Sequence, residues 1–354
     1  MTSPHSRIAT VLFSAAASVC LLCNVAAAQI ASNGDYQFET SPFMRSSAYH
    51  DVNGVGKDMS PDGAYTDVNQ KYDETHTGKW YIEQQREAYQ AIAAGITQNN
   101  TAAIDRGLKI FAWGWQQQQA DGGFNCDSVG RSFHSTSFFV EAVAHALILL
   151  ESSSYATQYA AQINAMKPAL GRATAWMMRP DIETEGMKYN QPYTHRRYLV
   201  GDALGETGVL LGDAKLIAES QKFVLDGISM QNPAGYNPEK GGWDVSYHCG
   251  GVVFAERYYT TVANATIKPQ LYNMLAKANA WTASRVSPDG AVDMSGDTRV
   301  GNSNSEKGPG GSIKKLAVGQ VYESLAYWGQ ISGDANYLKL AEKIAHAPRR
   351  ENTF

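Results

Sequence analysis

Ser135-Thr136-Ser137-Phe138-Phe139-Val140-Glu141-Ala142-Val143-Ala144-His145-Ala146-Leu147-Ile148-Leu149-Leu150 is the stretch on which the fold turns. From Phe138 to Leu150 it is apolar nearly all round, and it contains neither Gly nor Pro. A helix without a polar face has to be enclosed by other elements. Helical periodicity of apolar residues continues on both sides of it, in Trp80 to Ile96, Ala102 to Gln118, Tyr155 to Met178 and His195 to Leu211. Ala214 to Met230, Cys249 to Val262, Lys268 to Arg285, Ile313 to Gln330 and Ala335 to Ala347 extend the series, and no run alternates as a strand would.

The series has a rhythm. Helices starting near Trp80, His134, His195, His248 and Ser312 lie 53 to 64 residues apart, each followed by a partner helix. Gly-rich loops enter four of them: Asp121-Gly122-Gly123-Phe124, Gly241-Gly242-Trp243-Asp244, Pro288-Asp289-Gly290 and Gly308-Pro309-Gly310-Gly311. A repeated two-helix unit forms either a solenoid or a closed ring. Enclosed helices such as Phe138 to Leu150 and Gly250 to Phe254 favour the ring: an all-α fold, an (α/α) toroid of helix pairs, incomplete, over residues 80–354. Loops at one end of its inner helices would then converge on one cleft.

Residues 29–79 are polar and rich in Gly and Asp, and read as an irregular N-terminal arm. Residues 1–28 have the layout of a secretory signal peptide: Arg7, an apolar run from Ile8 to Val25, and Ala26-Ala27-Ala28 before a cut at Gln29. The protein is therefore expected to be secreted or periplasmic, without a membrane span, and monomeric. Removal of Arg7 takes the formal charge from −4 to −5. That balance argues against a nucleic-acid partner, which needs a basic stripe, but allows an anionic polysaccharide, for which only the cleft has to be positive. Cys20 and Cys23 leave with the signal; Cys126 and Cys249 remain as a candidate disulfide in an oxidising compartment, or as two separate thiols.

Polar residues concentrate in front of the inner helices. One cluster is Cys126-Asp127-Ser128-Val129-Gly130-Arg131-Ser132-Phe133-His134; a second is Tyr189-Asn190-Gln191-Pro192-Tyr193-Thr194-His195-Arg196-Arg197-Tyr198. A third is Trp243-Asp244-Val245-Ser246-Tyr247-His248-Cys249, and a weaker fourth runs from Asp297-Thr298-Arg299 to Lys314-Lys315. Asn, His, Arg and Tyr recur, and close carboxylate pairs do not. That set suits β-elimination on a uronic-acid polymer. The proton on carbon 5 becomes acidic only when the neighbouring carboxylate is neutralised, and a base and an acid must then act at carbon 5 and at the carbon-4 oxygen. No metal is obligatory for that chemistry, and a structural metal ion stays an open alternative. Where the carbon-5 proton and carbon-4 oxygen share a side, one Tyr can serve both. Tyr247 is the first choice, with His248 as neighbour or substitute. Asn190 and His195 would hold the carboxylate, Arg299 and Arg197 would supply positive charge, and Arg131, His134, Tyr193, Trp243 and Lys315 would bind substrate.

Each residue also has a plain reading. Tyr247 can pack under a loop, His134, His195 and His248 can bond locally at helix starts, and Asn190 can make a turn before Pro192. His145, inside an apolar helix, reads as a satisfied core histidine. Adjacent Arg196 and Arg197 point apart on a helix, so one is expected to be structural, paired with Asp202 or Glu206. Trp113, Trp115 and Trp243 serve equally in stacking on sugars and in packing between helices.

Tyr189-Asn190-Gln191-Pro192-Tyr193-Thr194-His195-Arg196, Ser246-Tyr247-His248-Cys249-Gly250-Gly251, and Ser287-Pro288-Asp289-Gly290 followed by Thr298-Arg299 resemble the α/α-toroid polysaccharide lyases. In particular they resemble polysaccharide lyase family 38, whose members act on glucuronan (cellouronate) or alginate. The resemblance spans roughly residues 80–345. It implies an incomplete toroid, β-elimination without an organic cofactor, and a site of Asn, His, Arg and Tyr. Asn190 matches the carboxylate-neutralising position, and His195 or His248 the histidine. Related lyases of the alginate type carry Arg and Tyr a few residues apart in the late segment. Here Arg299 is followed by Asn302, Asn304 and Ser305, with no Tyr before Tyr322.

Two other classes compete. A glycoside hydrolase on the same architecture needs two carboxyl groups at a set separation, for which Asp244 with Glu183, Glu185 or Asp289 are candidates. A non-catalytic glycan-binding or scaffold protein would use the Trp and Arg residues and lose little on changing Tyr247.

Overall fold

The computed structural model describes residues 59–65, 82–126, 130–131, 133–301 and 312–347. The expected signal peptide, most of the arm, and Asn302 and Asn304 lie outside them, as does the side chain of Arg131. The described chain is helical. A 3-10 turn, Glu83–Glu87, leads into α1 (Ala88–Gln98), α2 (Thr101–Gln116), α3 (Phe133–Glu151), α4 (Ala160–Met177), α5 (Pro180–Asn190) and α6 (His195–Leu211). Then come α7 (Ala214–Ser229), α8 (Val245–Thr261), α9 (Lys268–Ser284), α10 (Val318–Ser332) and α11 (Ala335–His346). The sheet content among the described residues is one antiparallel ladder, Asn125–Cys126 with Gly130–Arg131.

Five antiparallel pairs form: α1 with α2, α3 with α4, α6 with α7, α8 with α9 and α10 with α11. The first members pack on one another in chain order, α1 on α3, α3 on α6, α6 on α8 and α8 on α10. Burial separates the two sets. In α3, 17 of 19 residues are buried, and in α6 and α8 14 of 17, whereas α11 buries 2 of 12. The first members are thus inner helices, and the second members carry one apolar stripe each.

A five-residue turn introduces four of the five pairs. It occurs at Ser60-Pro61-Asp62-Gly63-Ala64, Gln119-Ala120-Asp121-Gly122-Gly123, Asn232-Pro233-Ala234-Gly235-Tyr236 and Ser287-Pro288-Asp289-Gly290-Ala291. In each, the first N–H donates to the fifth carbonyl, at 2.8 to 2.9 Å, and the fourth N–H donates to the first carbonyl over the same range. The fourth residue has φ between 84° and 113°, a region open to Gly. A Cβ there would meet a backbone carbonyl of the outer helix of the pair that follows: Lys109 in α2, Arg172 in α4, Lys277 in α9 and Lys343 in α11. Gln118 and Gln231 fasten two of these turns, each Nε2 donating to the turn glycine and to a carbonyl of that same outer helix. The α6–α7 pair lacks the turn and is introduced by α5.

Several expectations are corrected. Helix α5 occupies a stretch between Met178 and His195 where no helix is expected, and its last two residues, Tyr189 and Asn190, open the second polar cluster. Pro180 at its first turn and Asp181 and Glu183 beside its positive end start it, but its polar faces hide the period. Helix α8 begins at Val245, four residues earlier than expected, because Asp244 caps it. Cys249 is a free thiol, fully buried against Thr282 Oγ1 at 3.7 Å, so of the two alternatives it takes that of a separate thiol and not the candidate disulfide with Cys126, whose side chain lies outside the described residues; burial pushes this thiol up to about 12. Gly250-Gly251 has a packing reason. A Cβ on Gly251 would sit 2.8 Å from Cα of His195, so glycine lets α8 approach the start of α6.

Candidate functional site

One cleft of about 440 Å³ is lined by every inner element: Glu83 and Arg86 from the 3-10 turn, Tyr89 from α1, and His134, Phe138 and Glu141 from α3. His195 and Arg196 come from α6, Tyr247 and Arg257 from α8, and Gln320 and Glu323 from α10, with Lys314 and Lys315 in the loop before it.

Tyr247 is placed by the cap of α8. The buried Asp244 accepts the Tyr247 N–H at 2.7 Å, and Asp297 accepts the Val245 N–H at 2.9 Å. Asp297 also accepts the N–H groups of Arg299 and Val300. The two acids thus set Tyr247 and Arg299 face to face. Burial, with Asp297 nearby, pushes Asp244 up to about 7. The Arg299 guanidinium lies 3.8 Å over the Tyr247 ring, and Lys314 Nζ donates to the Tyr247 hydroxyl at 2.7 Å. Two cations thus flank Tyr247, one over its ring and one at its hydroxyl.

His195 lies beside them, its ring 4.8 Å from that of Tyr247. Glu239 holds it twice, accepting its backbone N–H at 2.8 Å and facing Nδ1 at 2.7 Å. That grip leaves Nε2 as the ring nitrogen able to meet a ligand. Burial holds His195 well below its ordinary value, and Arg196, Arg299 and Lys314 act in the same direction. Burial pushes Glu239 up to about 8. The N–H groups it accepts and Arg299 at 3.7 Å oppose this and favour the carboxylate.

The remaining sequence candidates divide. His134 and Lys315 line the cleft. His134 packs on Phe138 at 4.6 Å, and burial holds it well below its ordinary value. Asn190 and Tyr193 stand behind Arg196: Asn190 Oδ1 accepts from Arg196 at 3.1 Å, and the Tyr193 ring lies 4.1 Å from the guanidinium. Asn190 is 1% exposed and Nδ2 has no hydrogen-bond partner among the described residues. Arg197 is corrected from a substrate contact to a structural group. It pairs with Asp226 at 3.0 Å, not with Asp202 or Glu206, and donates to the carbonyls of Asn190 and Tyr193. Its neighbour Arg196 takes the cleft.

His248 is corrected as well. It is fully buried, Nδ1 accepting from the Asn237 N–H at 3.0 Å and Nε2 facing Thr282 Oγ1 at 3.2 Å and the Ala278 carbonyl at 3.3 Å. Trp243 packs against Trp281 at 5.5 Å beneath Arg285 and is not among the cleft residues. His145 is a satisfied core histidine, its Nδ1 2.9 Å from Glu206. Sequence reasoning missed Arg86, Glu83, Glu239 and the triad Glu141–Arg257–Glu323, in which Arg257 meets each acid at 2.7 Å. The lone interior acids Glu141 of α3 and Glu323 of α10, and the adjacent Glu256 and Arg257 of α8, were the available signal for the triad.

The cleft can bind an anion beside a phenol flanked by two cations and the His195 imidazole. No family model, curated protein or solved structure matches the chain.

Proposed function

We propose that this chain is an exported polysaccharide lyase acting on a β-1,4-linked polyuronate by β-elimination, with glucuronan the preferred polymer and alginate the next. The carrying observation is Tyr247, whose hydroxyl accepts from Lys314 and whose ring lies against Arg299 and His195 at the cleft. We further propose that the five helix pairs curve as an incomplete α/α toroid. The chain-order packing of the inner helices and the turn shared by four pairs support that reading.

A substrate carboxylate bound by Arg196, Lys315 and Nε2 of His195 would lower the cost of negative charge developing at carbon 5. Tyr247, as phenolate, takes the carbon-5 proton. The electrons of that C–H bond form the double bond to carbon 4, the bond from carbon 4 to the bridging oxygen breaks, and that oxygen takes the proton back from Tyr247. No water is consumed. Asn190 acts here as a positioning residue for Arg196, and Glu239 as one for His195. The hydrolase reading is weakened by placement. Asp244, Glu183, Glu185 and Asp289 do not line the cleft. Of the carboxylates that do, Glu83 and Glu87 are held by Arg86, and Glu141 and Glu323 by Arg257.

The test is incubation of the mature chain with glucuronan, polymannuronate and polyguluronate. A lyase raises the ultraviolet absorbance of the unsaturated product together with the count of reducing ends. Reducing ends without that absorbance would assign a hydrolase, and neither signal, with retained binding, a glycan-binding protein.

A further inference from the structure

Glu141 and His145 stand one turn apart on α3, and Asp202 and Glu206 one turn apart on α6, so two packed inner helices present four ligand-bearing side chains at one level. All four are buried, with exposures of 3% or less. One carboxylate oxygen from each of Glu141, Asp202 and Glu206 lies within 4.8 Å of the others. Glu206 adds an independent sign of a ligand. Its Oε1 faces His145 Nδ1 at 2.9 Å, while its buried Oε2 has no hydrogen-bond partner among the described residues.

Arg257 divides one positive charge between Glu141 and Glu323, and His145 carries charge only when protonated. Asp202 and Glu206 add two further acids in a water-poor interior, where like charges repel strongly. Two oxygens bound to one Ca²⁺ lie no further apart than about 4.6 to 5.2 Å, twice a metal–oxygen distance of about 2.3 to 2.6 Å. The three carboxylate oxygens, all within 4.8 Å of one another, satisfy that limit.

We propose that Glu141, Asp202 and Glu206 bind one hard divalent cation, with His145 supporting Glu206 by its hydrogen bond. The donors are oxygens, which select Ca²⁺, Mg²⁺ or Mn²⁺ over soft metals. Such an ion would bolt α3 to α6, the helices that deliver His134, His195 and Arg196 to the cleft. The inference is independent of the reaction assigned to that cleft.

The experiment uses the full mature chain, stripped with chelator and titrated calorimetrically with CaCl2 and with MnCl2, alongside elemental analysis of the chain as purified. One equivalent of ion per chain is expected, with a melting temperature that rises with ion concentration. Glu206→Gln and Asp202→Asn should each weaken binding at least tenfold. No uptake of either ion at millimolar concentration overturns the proposal, as does uptake that both variants leave unchanged. Should the variants fail to fold, the stoichiometry of the unaltered chain decides alone. Greater heat stability of Glu206→Gln without any ion uptake would show that protons, not a metal, hold the acids together.

Discussion

Tyr247 and His248 are neighbours with opposite surroundings. One meets Lys314 and Arg299 at the cleft, and the other is enclosed by Asn237, Ala278 and Thr282. Tyr247→Phe keeps the ring and removes the oxygen, so turnover on polyuronate should fall by about 10²- to 10⁴-fold, the usual worth of an acid–base group, with an unchanged circular dichroism spectrum. Retained turnover would remove Tyr247 from the chemistry. His248 makes a prediction of stability instead. Burial pushes it down to about 4 from 6.5, so between those values the unfolded chain binds a proton that the native chain does not. Its contribution is present above about pH 6.5 and is lost as pH falls through about 4. Gln can accept from Asn237 and donate towards Thr282 without titrating. The stability gap between the native chain and His248→Gln, measured by urea unfolding, should therefore shrink as pH drops from 7 to 4. A gap independent of pH would contradict the placement of His248.

At the scale of elements, the repeated turn ties each pair it introduces to its own outer helix, and its glycine is doubly constrained. Gly235 combines φ of 107° with a Cβ position 2.6 Å from the Lys277 carbonyl. Gly212, at the end of α6, has φ of 65° and nothing within 4 Å. Gly212→Ala should cost about 1 kcal/mol for the left-handed backbone alone, and Gly235→Ala clearly more, since a backbone carbonyl must also move. Equal midpoints in urea would show that the turn does not dock as described. The sequence exposes this level unevenly. The inner helix α3 was legible because Phe138 to Leu150 has no polar face, and Ser287-Pro288-Asp289-Gly290 was visible as a loop. Its kinship with Asn232-Pro233-Ala234-Gly235 was not, because only the Gly and its hydrogen bonds persist through all four copies. The choice between Arg196 and Arg197 was open for a different reason. A rotation of about 100° separates adjacent helical residues, and a polar cluster does not say which side faces the cleft. Glu239, 44 residues from His195, is joined to it by no local period at all.

Taken as one molecule, the chain is tied at Arg257. Its guanidinium meets Glu141 of α3 and Glu323 of α10 at 2.7 Å each, and it lies 4.8 Å from the ring of Tyr89 in α1. Four inner helices thereby share one buried point, across sequence separations of 116 and 66 residues. A buried ion pair is not stabilising simply because it exists, since desolvation offsets much of the attraction. Breaking one is another matter. Arg257→Met leaves two carboxylates buried without their counter-ion and should lower unfolding stability by about 3 to 5 kcal/mol. Arg257→Lys should also destabilise, because one ammonium cannot reproduce two forked contacts. Replacing Glu323 as well, as Arg257→Met with Glu323→Leu, removes one uncompensated charge without touching the acids of the proposed ion site and should recover part of the loss. The measurement is the urea midpoint of each variant at constant m-value. A loss below about 1 kcal/mol in Arg257→Met would mean that the inner helices hold their arrangement by apolar packing alone. Recovery in the double variant would show instead that the charges fix which helices meet, while the surrounding core supplies the stability.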